Sequence, residues 1–355
     1  MIEVKFDDVL RIYEKEICKN TKNKYKIYKF EKYKMMNIKK VCNDLVDLNY
    51  NGGFYNIFLI KYPKERIIMS LNIKDKLINH YVTRYYLMPK LECKLDDRNT
   101  ATRKGKGRDY ALNLVKKYIE KMKKYDKFYI LKLDISKYFY SIDHNVLKNM
   151  LKEDLGDTFE YKYICNIIDS TNKDYINKSI SKINSKNNLS LPYYLYDKGV
   201  PIGNMTSQFL SIYYLNRLDH KIIHDYKIKY FVKYMDDFIL IHQDKKYLKE
   251  VKEKIEQELN DVYKLKVNKN KTNITNSKEG FIFLGYRFRV INNKTIINIS
   301  NSTLKRVKKR IKEVKYLYDN YKISFSSTFS SINNYYYSFK TLKIKRLVDK
   351  YFFTN

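Results

Sequence analysis

The stretch FVKYMDDFILIH, residues 231 to 242, limits the folds open to this chain more than any other. Two short apolar runs meet across Met235-Asp236, which is the signature of a tight hairpin. Its turn then carries two adjacent carboxylates, Asp236 and Asp237, between strands that call for burial. Acids set side by side at such a place cost free energy unless something positive sits on them. Aspartate pairs are also ordinary turn residues, so this pair needs a partner to mean more. Upstream, FYILKLDI at residues 128 to 135 alternates, is rich in β-formers and delivers Asp134 to a turn. Where the two elements are neighbours in one antiparallel sheet, Asp134 and Asp236 converge and two Mg²⁺ ions can bridge them. One ion activates a 3′-hydroxyl and the other holds a triphosphate and its leaving pyrophosphate, as in-line phosphoryl transfer requires.

The charge balance points to the partner of such a centre. With 72 Lys+Arg against 39 Asp+Glu the formal charge is +33, and nucleic acid is the natural counterion. An AT-rich coding sequence explains part of the Lys, Asn, Ile and Tyr enrichment (37 Tyr, no Trp), but not the shortage of acids. Cys18, Cys42, Cys93 and Cys165 form no C-x-x-C pair and read as buried thiols in a reducing compartment. His220 and His224 stand at i, i+4 spacing but lack a third metal ligand nearby in sequence. No signal peptide opens the chain and no apolar run approaches the roughly 20 residues of a membrane span, so a cytoplasmic protein is expected.

With 44% hydrophobic residues over 355 positions, the chain can bury a core spanning two or three subdomains. The first fifty residues are basic and Tyr-rich with mixed helical periodicity, ending in the turn signal Asn51-Gly52-Gly53. Strand-like runs flank Pro63 and pass into a helical pattern. RNTATRKGKGRDYA follows as a cationic loop, and residues 111 to 122 read as an amphipathic helix. Residues 169 to 190 are Asn/Ser/Lys-rich and read as an exposed loop or insertion. VPIGNMTSQFLSIYYLNRLDH begins with a Pro-Gly turn and continues as a helix. From Ser302 a capped helix places Leu304, Val307, Ile311, Val314 and Leu317 at helical spacing opposite a Lys/Arg face. Tyr335, Tyr336 and Tyr337 read as packing residues rather than base-stacking ones.

At these motifs the chain resembles a known family. Tyr234-Met235-Asp236-Asp237 is similar to the Y-x-D-D box of reverse transcriptases, and LKLDISKYFYSIDH resembles their first catalytic motif, as in bacterial retron, group II intron and diversity-generating enzymes. The resemblance covers about residues 55 to 345. It implies an α+β right-hand polymerase: fingers in 1–125, a palm in 126–290 with an antiparallel sheet and the polar insertion, and a short helical thumb in 291–355. It further implies Asp134, Asp236 and Asp237 as catalytic metal ligands with Ile135 beside them, and two Mg²⁺ ions with Mn²⁺ as a substitute. RKGKGRDYA looks like the fingertip segment, whose Arg103, Lys104 and Lys106 would contact the incoming dNTP. Phe139, next to Tyr138, stands where the family's aromatic gate excludes a ribose 2′-hydroxyl. Lys271 resembles the late lysine, a proton donor to pyrophosphate. Phe283, Leu284, Gly285 and Tyr286 are similar to the primer grip.

One block departs from the common P-Q-G-x-x-x-S-P. Here it reads Pro201-Ile202-Gly203-Asn204-Met205-Thr206-Ser207-Gln208, which resembles the error-prone diversity-generating enzymes and places Ile202, Gly203 and Gln208 at the nucleotide. An isobutyl-type side chain cannot make the hydrogen bond that Gln makes near the nascent pair, so discrimination weakens. The resemblance implies template RNA, a cDNA primer strand and dNTPs as partners. It leaves open a structured noncoding RNA, a small basic accessory protein and a homo-oligomer. A bacterial or phage-encoded defence reverse transcriptase acting with a dedicated noncoding RNA is the rival within the family. A silent RNA-binding scaffold would be expected to lose a metal carboxylate, and a DNA-templated repair polymerase shares the same metal site. No maturase, endonuclease or RNase H segment is expected in the roughly 65 residues after the primer grip.

Overall fold

A computed structural model describes residues 4–47, 50, 52–339 and 342–352. Among the described residues nine strands form three antiparallel sheets among helices: β1 (Asn56–Ile60) with β2 (Arg66–Ser70); β4-β5-β3-β6 (Tyr230–Tyr234, Asp237–His242, Tyr129–Asp134, Asn273–Asn276); and β7-β8-β9 (Phe281–Phe283, Tyr286–Ile291, Lys294–Ile299). The architecture is α+β and agrees with a right-hand polymerase.

The four-stranded sheet is buried on both faces, which explains why its strands read as nearly continuous apolar runs. Leu131, Leu133, Phe231, Phe238 and Leu240 face one core with the helices Met205–Tyr213 and Lys245–Asp261. Ile130, Val232, Ile239 and Ile241 face a second core closed by the helix Arg108–Met122 and by Phe281, Phe283 and Phe288. That helix buries Ala111, Val115, Ile119 and Met122, one stripe at helical spacing. Before β1 the helices Phe6–Ile12, Lys24–Glu31 and Lys34–Val46 are described, and Val9, Ile12, Ile38, Val41 and Leu45 pack with Leu77, Ile78 and Tyr81 of the helix Ile73–Tyr81.

Several sequence expectations are corrected. Residues 169 to 190 are mostly helix (Asp174–Asn187), and Ile176 and Ile180 are fully buried against β1 and β2. Three isoleucines spaced along a polar text were enough to fold it. None of the four thiols is fully buried, and Cys93 is exposed. The helix after β9 is capped by Ser300, whose hydroxyl accepts from Thr303 N–H, rather than starting at Ser302. Of the turn signal at 51–53, Asn51 lies outside the described residues. Gly52 takes φ 76°, and a Cβ there would lie 2.3 Å from Ser170 Cβ, so only glycine fits.

The C-terminal helices Asn301–Asp319, Phe325–Phe339 and Leu342–Phe352 share a small core of Val307, Ile311, Ile344 and Val348. Tyr335 meets Tyr62, on the β1–β2 loop, edge-on at 5.8 Å, and the Arg310 guanidinium lies 5.4 Å from the Tyr62 ring. The side chains of Tyr336 and Tyr337 lie outside the described residues. No helix among the described residues is long and apolar enough to cross a membrane.

Candidate active site

Strands β3 and β5 lie side by side, and their register makes Asp134 and Asp237 direct partners. Tyr234 opposes Asp237 across the β4–β5 hairpin, leaving Met235 and Asp236 as a two-residue turn. Met235 takes φ 57°, the left-handed conformation that such turns favour and a side chain resists. The turn thereby lifts Asp236 beside Asp237 at the end of the sheet where Asp134 ends its strand.

The carboxylates are crowded. Burial, followed by repulsion from Asp237 and Asp134, pushes the Asp236 carboxyl up to about 6. Burial raises Asp237 as well, with Lys132 opposing. Two ammonium groups stand against them. Lys271 Nζ donates to both oxygens of Asp134 at 2.9 and 3.0 Å, and Lys132 Nζ lies 3.7 Å from Asp237 Oδ1. The Lys271 loop wraps Asp134: Asn268 N–H donates to its carbonyl at 2.8 Å and Thr272 Oγ1 accepts from its N–H at 3.2 Å. Ile135 is buried and bridges to Val267, so its main chain is all it offers a cation.

Around this centre the chain brings several loops together. The Phe139 carbonyl accepts from Val200 N–H at 2.8 Å, which sets half-buried Phe139 beside the Pro201-Ile202-Gly203 turn. The Ile202 carbonyl in turn accepts from Met69 N–H at 3.0 Å, tying that turn to β2. Gly203 packs against the same strand, where a Cβ would lie 3.2 Å from Ile68 Cγ2. Gln208 is exposed on the first turns of the following helix. Lys132 Nζ also donates to the Ile282 carbonyl at 3.0 Å. This links β3 to the β7–β8 hairpin, in which Phe283 is buried and Leu284-Gly285 forms a turn with φ 46° and 87°. The Tyr286 ring there lies 5.2 Å from the Arg108 guanidinium.

The profile of the reverse transcriptase (RNA-dependent DNA polymerase) family matches residues 60–288. The chain belongs to the reverse transcriptase family. No curated protein matches the whole sequence or a part of it. Among solved structures, apo telomerase from Candida tropicalis truncated from its C-terminal domain has 20% identity, covering 70% of this chain and 55% of that one, at TM-score 0.44. Telomerase from Candida albicans in complex with a TWJ fragment of telomeric RNA has 16% identity, covering 77% and 52%, at TM-score 0.45. The chain thus spans about half the length of these telomerase chains.

Three of the nucleotide contacts expected of a reverse transcriptase need revision. Tyr138 is buried, and its hydroxyl donates to the Ser211 carbonyl at 2.5 Å. It therefore supports Phe139 from beneath and cannot reach a ligand. The loop carrying Arg103, Lys104 and Lys106 is anchored beside β4, where Thr100 N–H donates to the Lys233 carbonyl. Arg103 is turned inward onto the carbonyls of Asp96 and Asn99 at 2.7 and 3.2 Å, and Lys106 pairs with Asp97 at 2.5 Å. Only Lys104 of the three is exposed. Sequence reasoning singled out none of the cations of the β1–β2 hairpin, where Lys61, Lys64 and Arg66 are exposed and Arg66 lies within electrostatic reach of Tyr140. The available signal was two apolar runs separated by a loop with three cations.

A tighter constellation lies just behind. His144 Nδ1 and carboxylate oxygens of Asp169 and Asp197 sit within 4.8 Å of one another, the one such trio among the described residues. Lys148 already holds Asp169 at 2.5 and 2.6 Å, and His144 Nε2 donates to the Gly199 carbonyl at 2.7 Å. The trio serves as a clamp between the Asp143 turn and the segment leading to Pro201. His220 donates to the Lys94 carbonyl at 2.9 Å and stacks on His224, so that pair is structural.

Proposed function

We propose that the chain synthesises cDNA on an RNA template by two-metal nucleotidyl transfer, with Asp134, Asp236 and Asp237 as the metal ligands. The observation that carries this reading is the β3–β5 register with the β4–β5 turn, which together bring three acids to one end of the sheet in a protein of formal charge +33. Carboxylates held this close, one with its pKa raised to about 6, make an oxygen-donor set that suits a hard divalent ion. When bound, Mg²⁺ or Mn²⁺ would neutralise the carboxylates, lower the pKa of the attacking hydroxyl and stabilise the departing pyrophosphate. Lys271, on Asp134, is placed to hold and deliver a proton to that leaving group. Phe139, beside the Ile202 turn, would exclude a 2′-hydroxyl and so select dNTPs. Phe283 to Tyr286 would seat the primer end, with fingers, palm and thumb divided at residues 125 and 290. Primer extension on an RNA template with Mg²⁺ and dNTPs tests the reading, and sequenced products copied from the template are the expected result.

Metal binding should be pH-dependent. A carboxyl raised from 3.8 to about 6 holds its proton below that value, and a proton there competes with the cation. Calorimetric affinity for Mn²⁺ should be flat above pH 7 and fall by up to about tenfold per unit below pH 6. An affinity unchanged down to pH 5 would contradict the crowding of Asp236.

The triphosphate contacts are assigned to the β1–β2 hairpin, because Ile202 and Gly203 pack on β2 and the 103–107 loop does not. Arg66→Ala should raise KM for dNTPs by about tenfold or more through loss of a charge-assisted contact. Lys104→Ala should change it less than twofold, and Arg103→Ala should lower Tm instead. Equal KM effects from Arg66 and Lys104 would return the triphosphate to the loop.

Of the subfamily readings, the error-prone diversifier is preferred on Ile202, which is half-buried and whose side chain offers no hydrogen bond. Ile202→Gln should lower misincorporation severalfold in sequenced products, since a polar contact that discriminates is worth about 1–3 kcal/mol. An unchanged error spectrum would favour the defence-type enzyme with its own noncoding RNA.

A further inference from the structure

Residues 19–40 lie outside the span that matches the family, and the mechanism above uses none of them. The helix Lys24–Glu31 is pinned from below by Ile27 and Phe30 and capped by Asn23, whose side chain accepts from Lys26 N–H. Its outer face is aromatic and cationic at once. Tyr25 and Tyr28 are 72% and 68% exposed, and Tyr33 follows at 55%. Lys24, Lys26, Lys29 and Lys32 are exposed between them, with Lys32 Nζ 5.5 Å from the Tyr33 ring. Glu31 is the one acid from 19 to 40, and it turns toward the Tyr13 hydroxyl at 3.2 Å.

This face forms one wall of a groove of about 680 Å³ whose other wall is Asn72, Ile73 and Lys74 at the start of the helix Ile73–Tyr81. No carboxylate lines it, and no residue of the carboxylate centre or of the Pro201 turn does. Codon drift can supply lysine and tyrosine, but drift does not gather exposed rings and ammonium groups on one acid-free groove. Five of the exposed large apolar side chains, Tyr25, Tyr28, Tyr33, Met35 and Met36, fall within twelve positions. A ligand that matches must be polyanionic and must present flat π-faces. Stacking on aromatic rings combined with a cationic track is the chemistry of single-stranded nucleic acid. An acidic protein would satisfy the lysines and leave the rings unmatched.

We propose that this groove is a second nucleic-acid site, which holds a few nucleotides of single-stranded RNA outside the copying centre. Phosphates lie along Lys26, Lys29, Lys32 and Lys74, and bases stack on Tyr25 and Tyr28. The site needs no catalysis, so it stands or falls separately from the polymerase reading.

Fluorescence anisotropy of a labelled U₁₂ RNA on the full chain tests it. Tyr25→Ala/Tyr28→Ala should weaken binding at least about tenfold, the loss expected from removing stacking platforms. Lys26→Gln/Lys29→Gln should lower the slope of log K against log[salt] by about 1.4, that is roughly 0.7 for each phosphate released. All four side chains are exposed, so thermal melts should be unchanged, as should extension of a short pre-annealed primer–template. The same removal of charge at Lys246→Gln/Lys249→Gln, on the exposed face of the helix Lys245–Asp261, should leave the affinity intact. Undiminished binding in the tyrosine variant, or equal weakening by the Lys246/Lys249 control, would overturn the proposal. Tighter binding of a single-stranded DNA of matching sequence would overturn the assignment to RNA.

Discussion

Asp236→Asn is expected to reduce templated primer extension by about 10³-fold or more while leaving the fold intact. The substitution keeps the size of the side chain and removes one negative charge from a centre that has too many. Without a cation, the variant should therefore be no less stable than the native chain, because burial and two neighbouring acids disfavour the Asp236 charge. With Mg²⁺ present the order reverses. A ligand worth several kcal/mol of transition-state stabilisation is lost, and each 1.4 kcal/mol is a factor of ten. Single-turnover extension, paired with thermal melts with and without Mg²⁺, reads both effects. Extension that survives in Asp236→Asn would show that the acids at this end of the sheet do not run the reaction.

The second large effect is on stability and comes from a pair behind the turn. Lys233 on β4 and Asp219 on the helix Asn216–His224 are both fully buried, with Nζ 2.5 Å from Oδ2. Burial raises the Asp219 carboxyl to about 6 and lowers the Lys233 ammonium. Asn99 Nδ2 donates to Asp219 at 3.3 Å, and Lys233 Nζ faces the Phe238 ring at 5.6 Å. Removing one partner strands the other charge, so Lys233→Met alone should cost about 3–5 kcal/mol of folding free energy. Replacing both, Lys233→Met with Asp219→Leu, should recover most of that loss, since buried ion pairs exchanged for apolar groups are often neutral. Denaturant melts of the two variants decide it, and a single variant costing under about 1 kcal/mol would mean that water reaches the pair.

The parts legible from sequence were those where one residue type had one job. The hairpin at 235–236 could be read because apolar alternation stops at two aspartates, and Asp134 because an apolar strand ends on it. Composition misled at residues 169–190, where Ile176 and Ile180 build a helix inside polar text. It also misled at RKGKGRDYA, whose cations look like phosphate ligands until Arg103 and Lys106 are seen bound to their own loop. A charged side chain is the same letter whether it faces a ligand or a carbonyl, and only tertiary contacts separate the two. Tyr138 and Phe139 illustrate this in adjacent letters, one buried under the other's support. The Lys132 contacts to Asp237 and to the Ile282 carbonyl join segments 105 and 150 residues apart, and no local pattern announces them.

The meeting of Tyr62 with Tyr335 and Arg310 ties the β1–β2 hairpin to the C-terminal helices. Anything bulky that passes between the hairpin and those helices must first part these contacts. Two ring contacts of about 0.5–1.5 kcal/mol each hold the latch. Parting them is therefore a modest cost, on the order of tenfold in the population that is open.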